Sequence, residues 1–174
     1  MDHKRSILLN SFVEYIRSLL DMAEQNFTYE SVFRFMRTGF AGYTQDEIDV
    51  LENYVRGLGI RGYKKWQEKW IRRTETTTEE MLEAVNRMRV QFVEKIDSLV
   101  FVLKQRNKTV KDITIALYEF LVREALYQKV KQMEMDFQQV GELTLAKEYS
   151  QVYSVTMELF DKFVQLLGDE RISL

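Results

Sequence analysis

Gly57, Gly59 and Gly62 fall at the spacing G-x-G-x-x-G, which in a nucleotide-binding unit cradles a pyrophosphate. That chemistry needs a β-strand running into the glycines and a helix leaving them, so that the phosphates meet unpaired N–H groups at a helix N-terminus. Here the preceding run is Thr44-Gln-Asp-Glu47, a capping box, followed by Ile48, Leu51, Tyr54 and Val55 at helical spacing. The glycines therefore follow a helix, where glycine supplies a left-handed cap. The pattern predicts a helix stop and a loop, not a dinucleotide site. A phosphate loop of the type G-x-x-x-x-G-K-[ST] fails as well, because Tyr63 follows Gly62 and neither the lysine nor the magnesium-holding hydroxyl is there.

Charge is the second chemical feature of this stretch. Arg56, Arg61, Lys64, Lys65, Lys69, Arg72 and Arg73 face a single acid, Glu68, and are interleaved with Tyr63, Trp66 and Trp70. The segment thus carries +6, and since the whole chain carries −2 the remainder carries −8. Lysine and arginine bind phosphates, and exposed aromatic rings stack on unpaired bases. The candidate DNA-binding set is therefore Arg56, Arg61, Lys64, Lys65, Trp66, Lys69, Trp70, Arg72 and Arg73. A structural reading competes with it: Trp66 and Trp70, four residues apart, dock a short helix onto the core while the cations stay solvated.

Other catalytic chemistry is scarce. His3 is the only histidine, which leaves no histidine-based triad or zinc site. The absence of cysteine excludes disulfides, thiolate metal sites, iron–sulfur ligation and a cysteine nucleophile within these 174 residues. No Glu-x-Lys triplet of the metal-dependent nuclease kind occurs. Acids such as Asp46, Glu47, Asp49, Glu79, Glu80 and Glu83 fall in first helical turns, where they favour the helix dipole. The expectation is no catalytic, cofactor-binding or metal-binding residue in this chain.

The elements that position the basic stretch read as helices almost throughout. The composition is 45% hydrophobic and 30% charged, with no proline, and five of seven glycines lie between Gly39 and Gly62. The longest apolar run, Leu99 to Leu103, is far short of a membrane span, and the N-terminus lacks a signal-peptide core, so a cytoplasmic location with no membrane partner is expected. Helices are predicted from about Lys4 to Glu24 (stripe Leu8, Phe12, Ile16, Leu19, Ala23), from near Thr28 to Gly39, and from Gln45 to Arg56. Thr77-Thr-Glu-Glu80 reads as another capping box, opening a buried stripe of Met81, Val85, Met88, Phe92, Ile96, Leu99 and Leu103. Thr109 starts a helix with Val110, Ile113, Leu117 and Phe120 inward, with a break near Arg123 to Leu126. A further helix ends at Gly141. The last, about Thr144 to Leu167, carries Leu145, Tyr149, Val152, Thr156, Leu159, Phe163 and Leu166 on one stripe and closes at Gly168. This is an all-α chain, an irregular bundle of about seven or eight helices. It reads as one domain over residues 1–174, with a basic and aromatic loop and short helix at 57–76. Asp169 to Leu174 begins what looks like a new capped segment, so the chain reads as cut from a longer protein.

Particular residues carry a family likeness. Tyr29-Glu-Ser-Val-Phe33-Arg34-Phe-Met-Arg37-Thr38-Gly39, Asp49-Val-Leu51-Glu52-Asn53-Tyr54-Val55, Gly59-Ile60-Arg61-Gly62 and Trp66 resemble the B subunit of the AddAB (RexAB-type) ATP-dependent helicase–nuclease of Gram-positive bacteria. The likeness returns at Gln151-Val152 and from Leu166 to Ser173; between Thr76 and Leu143 it lies more in helical rhythm than in letters. Gly57 stands outside the family pattern. The resemblance implies a subunit that processes double-strand DNA breaks for recombinational repair together with an A subunit. It also implies ATP, magnesium and an iron–sulfur cluster, held elsewhere in the parent subunit. By its place in the family order the segment resembles the helical insertion of the second motor domain, the 2B part of superfamily 1 helicases. DNA, single-stranded or tailed duplex, and the A subunit are the implied partners. The implied role is an accessory helical module that supports DNA binding or braces the motor domains. The alternative is a protein–protein interaction module without direct DNA contact.

Overall fold

The computed structural model describes residues 10–173, so His3, Leu8 and the predicted start of the first helix lie outside the described residues. The chain is all-α, as its periodicity predicts. Its helices are α1 (Ser11–Glu24), α2 (Tyr29–Met36), α3 (Gln45–Leu58), α4 (Tyr63–Gln67), α5 (Glu79–Leu103), α6 (Val110–Arg123), α7 (Leu126–Gln139) and α8 (Leu143–Leu167). The only β feature among the described residues is an isolated antiparallel bridge between Thr109 and Arg171.

The chain divides into two compact units. One is Arg17–Asp97, containing most of α1, all of α2, α3 and α4, and the larger part of α5. Caps set its helix boundaries. Thr44 and Glu47 form the predicted capping box, with Glu47 N–H donating to Thr44 Oγ1 (3.1 Å) and Thr44 N–H to Glu47 Oε1 (2.9 Å). α3 runs two residues further than expected: Gly57 is helical, and Gly59 (φ 62°) is the left-handed residue. Gly59 N–H bonds the Arg56 carbonyl and Ile60 N–H the Val55 carbonyl, a Schellman turn that satisfies two carbonyls of the last turn. At the start of α5 the predicted capping box does not form. Thr77 is occupied by a turn, accepting from Thr74 N–H (3.0 Å), and Thr78 caps instead by accepting from Met81 N–H (3.1 Å). The core gathers Phe27, Phe35, Trp66 and Phe92, with ring centroids 5.0–6.3 Å from Phe92. The α5 stripe is buried from Val85 onward, but Met81 at its first turn is exposed.

The second unit holds Ser98 onward together with the described residues up to Ile16. α7 and α8 pack as a hairpin, turned by Gly141 (φ 79°), and α6 lies along α8. The predicted break after Arg123 is real: Ala125 takes a left-handed conformation (φ 55°) between α6 and α7. Thr109 and Asp112 cap α6, and the segment after α8 completes the job. Val110 N–H reaches the Glu170 carbonyl (2.9 Å) and Lys111 N–H the Gly168 carbonyl (3.1 Å). Residues that read as the start of a new helix are thus a strap across the N-terminus of α6, satisfying donors that a helix start leaves open. The α8 stripe is buried only in its middle. Tyr149, Val152 and Thr156 are covered, whereas Leu145 at its start and Leu159, Phe163 and Leu166 at its end are exposed.

Candidate nucleic-acid interface

α4 has five residues, too few to hold a helix by its own hydrogen bonds, so the Arg17–Asp97 unit must hold it. Three anchors do so. At its entry Gly62 (φ 90°) donates its N–H to the Phe27 carbonyl (3.2 Å), and Tyr63 N–H donates to Asn26 Oδ1 (3.3 Å). Asn26 and Phe27 are themselves left-handed (φ 51° and 59°), a conformation costing roughly 1–2 kcal/mol for a residue with a Cβ. The buried Phe27 ring, 4.6 Å from that of Tyr63, offsets the cost. The Tyr63 hydroxyl donates to Asp97 Oδ1 at 2.6 Å, and burial, then this bond, pushes its pKa far up.

Trp66 is the middle anchor. It is fully buried, with its ring 5.0 Å from Phe92 and 5.0 Å from Trp70 in an edge-on arrangement. Its indole Nε1 is buried without a hydrogen-bond partner, so the ring is held by packing alone.

The third anchor fixes the extended stretch after α4. Trp70 Nε1 donates to the Lys65 carbonyl (2.9 Å), and its ring stacks on Tyr54 (5.3 Å). Asn86 of α5 pairs with the Trp70 backbone twice, accepting from its N–H (3.0 Å) and donating to its carbonyl (2.8 Å). Arg89, buried on the same helix, donates from Nε to Asn86 Oδ1 (3.0 Å) and from Nη1 to the Trp66 carbonyl (2.9 Å). Burial holds the Arg89 pKa below its ordinary value, and the guanidinium carbon lies 5.7 Å from the Trp70 ring centre. Finally the Tyr54 hydroxyl donates to the Arg72 carbonyl (2.7 Å).

The consequence is a sorted segment. Its aromatic residues and backbone polar groups face the core, and its cations face water. Arg56, Arg61, Lys64, Lys65, Lys69, Arg72 and Arg73 are all exposed. Lys65 meets Glu68 at 3.4 Å and Arg56 donates to Asn53 (3.2 Å); the other five have no hydrogen bond or ion pair from their side chains. Trp66 and Trp70 do not join them on the surface. Both rings are buried, so neither offers a face to a base, and the docking reading describes them. Sequence reasoning passed over Asn26, Asn86 and Arg89. For Arg89 a signal was available: it sits one turn after Val85 and beside Met88, a charge on the apolar side of a helix.

The glycine geometry gives no phosphate cradle. Gly57 lies within α3, where an added Cβ would stand 3.2 Å from Thr74 Cγ2, and the following turn is closed by the Schellman bonds. Iron–sulfur ligation does not fit, since the chain has no cysteine. Nor do the described residues bring three His, Asp or Glu side chains together for a metal ion. No helix among them is long and apolar enough to cross a membrane.

No family model matches the chain. Curated relatives match it throughout. It is 37% identical over 177 residues to the B subunit of the ATP-dependent helicase/deoxyribonuclease of Lachnoclostridium phytofermentans, covering 100% of this chain and 15% of that protein. Proteins of the same name from Clostridium botulinum (strain Hall) and Clostridium acetobutylicum are 37% and 35% identical over 182 and 184 residues, covering 100% of this chain and 16% of each relative. The chain thus spans about 15–16% of the length of the curated relatives it matches.

Proposed function

The chain belongs to the family of ATP-dependent helicase/deoxyribonuclease B subunits, matching one segment of them along its whole length, and on that premise we propose that it is an accessory helical module of such a protein. Its role is to hold DNA during the processing of double-strand breaks, in the position of the 2B-like insertion of a superfamily 1 helicase and in the cytoplasm. ATP and magnesium belong to motor parts, and an iron–sulfur cluster to a nuclease part, outside these 174 residues. The A subunit is the expected protein partner. This chain contributes binding and bracing rather than catalysis.

One observation carries the reading. Seven cations within 18 residues, Arg56 to Arg73, are held outward on a backbone that buried tryptophans, Asn86 and Arg89 fix in place. Fixed, solvated cations bind phosphates by releasing counterions, and a pre-organised surface loses less entropy on binding. The test is fluorescence anisotropy with a tailed duplex. Reversing Lys64, Lys65 and Lys69 to glutamate should abolish binding, while unchanged affinity would reject DNA contact by this segment.

A second reading has its own observation. On the Ser98–Leu174 unit, Ile115, Tyr118 and Val122 of α6 and Leu159, Phe163 and Leu166 of α8 are exposed, and a groove lined by Tyr118, Phe160 and Val164 separates the two helices. Apolar stripes of this kind mark protein contacts. Such a surface suits the A subunit or another part of the parent protein. Sedimentation that shows self-association, abolished by Tyr118→Glu and Phe163→Glu, would support it; a monomer at every concentration would count against it.

A further inference from the structure

Within the basic segment the cations are not spread evenly. Arg61, Lys65, Lys69 and Arg72 line one concave groove of about 360 Å³, formed between the end of α3 and the extended stretch after α4. The rest of its lining is Glu68, Gly59, the apolar residues Leu58, Ile60 and Ile71, and Tyr54 with Trp70. Arg56, Lys64 and Arg73 do not line it. The groove therefore has a composition distinct from the surface around it: four cations, one acid, and aliphatic patches between them.

We infer that this groove grips a short run of the sugar–phosphate backbone of single-stranded DNA, without preference for base. The inference rests on the DNA-contact reading above and says where on the segment the strand lies. Three features carry it. The charge is convergent: Glu68 offsets Lys65 at 3.4 Å, while Arg61, Lys69 and Arg72 have no acid partner and are left for an incoming anion. Two of the carbonyls at the end of α3, which would repel phosphates, those of Val55 and Arg56, are taken up by the Schellman bonds of Ile60 and Gly59. The frame is fixed as well. Tyr54 holds the Arg72 carbonyl at 2.7 Å and Trp70 the Lys65 carbonyl at 2.9 Å, so two of the four cations stand on pinned backbone.

The shape selects the strand. A duplex is a stiff rod with a persistence length of about 150 base pairs, and it does not bend to enter a groove of about 360 Å³. A flexible single strand can follow the concavity and lay its sugars on Ile60 and Ile71, the latter 74% exposed. The groove offers no ring face for stacking and no amide to pair with a base edge, since its two aromatic rings are buried and no asparagine or glutamine side chain lines it, so its grip rests on the backbone.

The experiment compares two triple variants of the whole 174-residue chain with the same net charge. Arg61→Gln/Lys69→Gln/Arg72→Gln empties the groove; Arg56→Gln/Lys64→Gln/Arg73→Gln removes three cations outside it. Binding of a labelled oligothymidylate is measured by anisotropy across a salt series, with circular dichroism melts as the check on folding. The groove triple should weaken binding at least about tenfold and flatten the log–log salt slope by about 2, at roughly 0.7 per lost single-strand phosphate contact. The outer triple should change affinity less than about threefold, since it leaves those contacts in place. Oligothymidylate and a mixed-base strand should bind alike. Equal weakening by both triples would overturn the groove while leaving DNA contact by the segment standing. A strong base preference, or tighter binding of blunt duplex than of single strand, would also overturn it. No binding by the unmodified chain at low salt would overturn both readings. Should the groove triple melt early, the single variants Arg61→Gln and Lys69→Gln carry the same test, each expected to weaken binding a few-fold.

Discussion

Replacing Asn86 by alanine tests how the basic segment is held. The side chain accepts from Trp70 N–H (3.0 Å) and from Arg89 Nε (3.0 Å), and donates to the Trp70 carbonyl (2.8 Å). Each such bond is worth about 0.5–1.5 kcal/mol net, and more where the partner is left buried and unpaired. Alanine returns roughly 0.5 kcal/mol through its better helix propensity. The expected loss is about 2–3 kcal/mol, roughly 30- to 150-fold in the folded-to-unfolded ratio. With a urea dependence of about 1–3 kcal/mol per molar, the midpoint should fall by about 0.7–3 M. The assay suits the site, because Trp66 and Trp70 are the only tryptophans and both lie in the Arg17–Asp97 unit. Their fluorescence in a urea titration reads the unfolding of the unit that carries the segment. Asn86→Asp keeps the acceptor for Trp70 and Arg89 and should lose less than alanine does. A midpoint shift below about 0.3 M for Asn86→Ala would refute the clamp, since it corresponds to less than one hydrogen bond.

Other perturbations follow from the same geometry. Trp66→Ala should cost about 3–5 kcal/mol, the range for a fully buried aromatic ring, and a urea midpoint close to wild type would show that the ring is not an anchor. Trp70→Phe should lose about 0.5–1.5 kcal/mol more than Trp66→Phe, because only Trp70 has an indole hydrogen bond to give up; equal losses in calorimetry would contradict this. Gly59→Ala should destabilise by about 1–2 kcal/mol through its left-handed backbone, whereas Gly57→Ala, in helical conformation, should gain up to about 1 kcal/mol if Thr74 gives way. The reverse order in denaturation would mean that the α3 terminus is placed wrongly. The pH dependence has a defined sign. Tyr63 has a folded pKa raised from its ordinary value of 10.0 by burial and by Asp97, so its contribution is whole below pH 10 and is lost as the pH rises above it. Tyr54 shifts the same way through burial. Urea midpoints should therefore fall above pH 10, less steeply in Tyr63→Phe, and a flat profile would contradict the burial of both phenols.

Much of the fold was legible because helices announce themselves locally. Thr44 with Glu47, Thr109 ahead of Asp112, and the glycines at 59 and 141 mark ends through short-range chemistry that a sequence displays. The errors arose where a local signal had two possible users. Thr77 and Thr78 could each cap α5, and the turn with Thr74 decided between them. The α8 rhythm through Leu159, Phe163 and Leu166 predicts burial, yet periodicity says only which face is apolar, not what covers it. The strap from Gly168 to Ile172 was invisible for a related reason, since its partners lie about sixty residues earlier at Lys108 to Lys111. At the candidate interface the cations were readable from composition alone. The sorting of Trp66 and Trp70 inward was not, because an aromatic among lysines is compatible with stacking on a base or on Phe92. The bonds from Asn86 and Arg89 to the backbone at Trp66 and Trp70 join positions 16 to 23 residues apart, which no local pattern records.

The most direct test of the central claim, that the exposed cations of Arg56–Arg73 bind DNA phosphates, is the salt dependence of single-strand binding by the unmodified chain. Three or four phosphate contacts at about 0.7 each predict a log–log slope of roughly −2 to −3. A slope in that range, reduced when Lys69 and Arg72 are neutralised, is the result predicted. A slope near zero, or no binding at about 50 mM salt where electrostatic contacts are strong, would contradict the account.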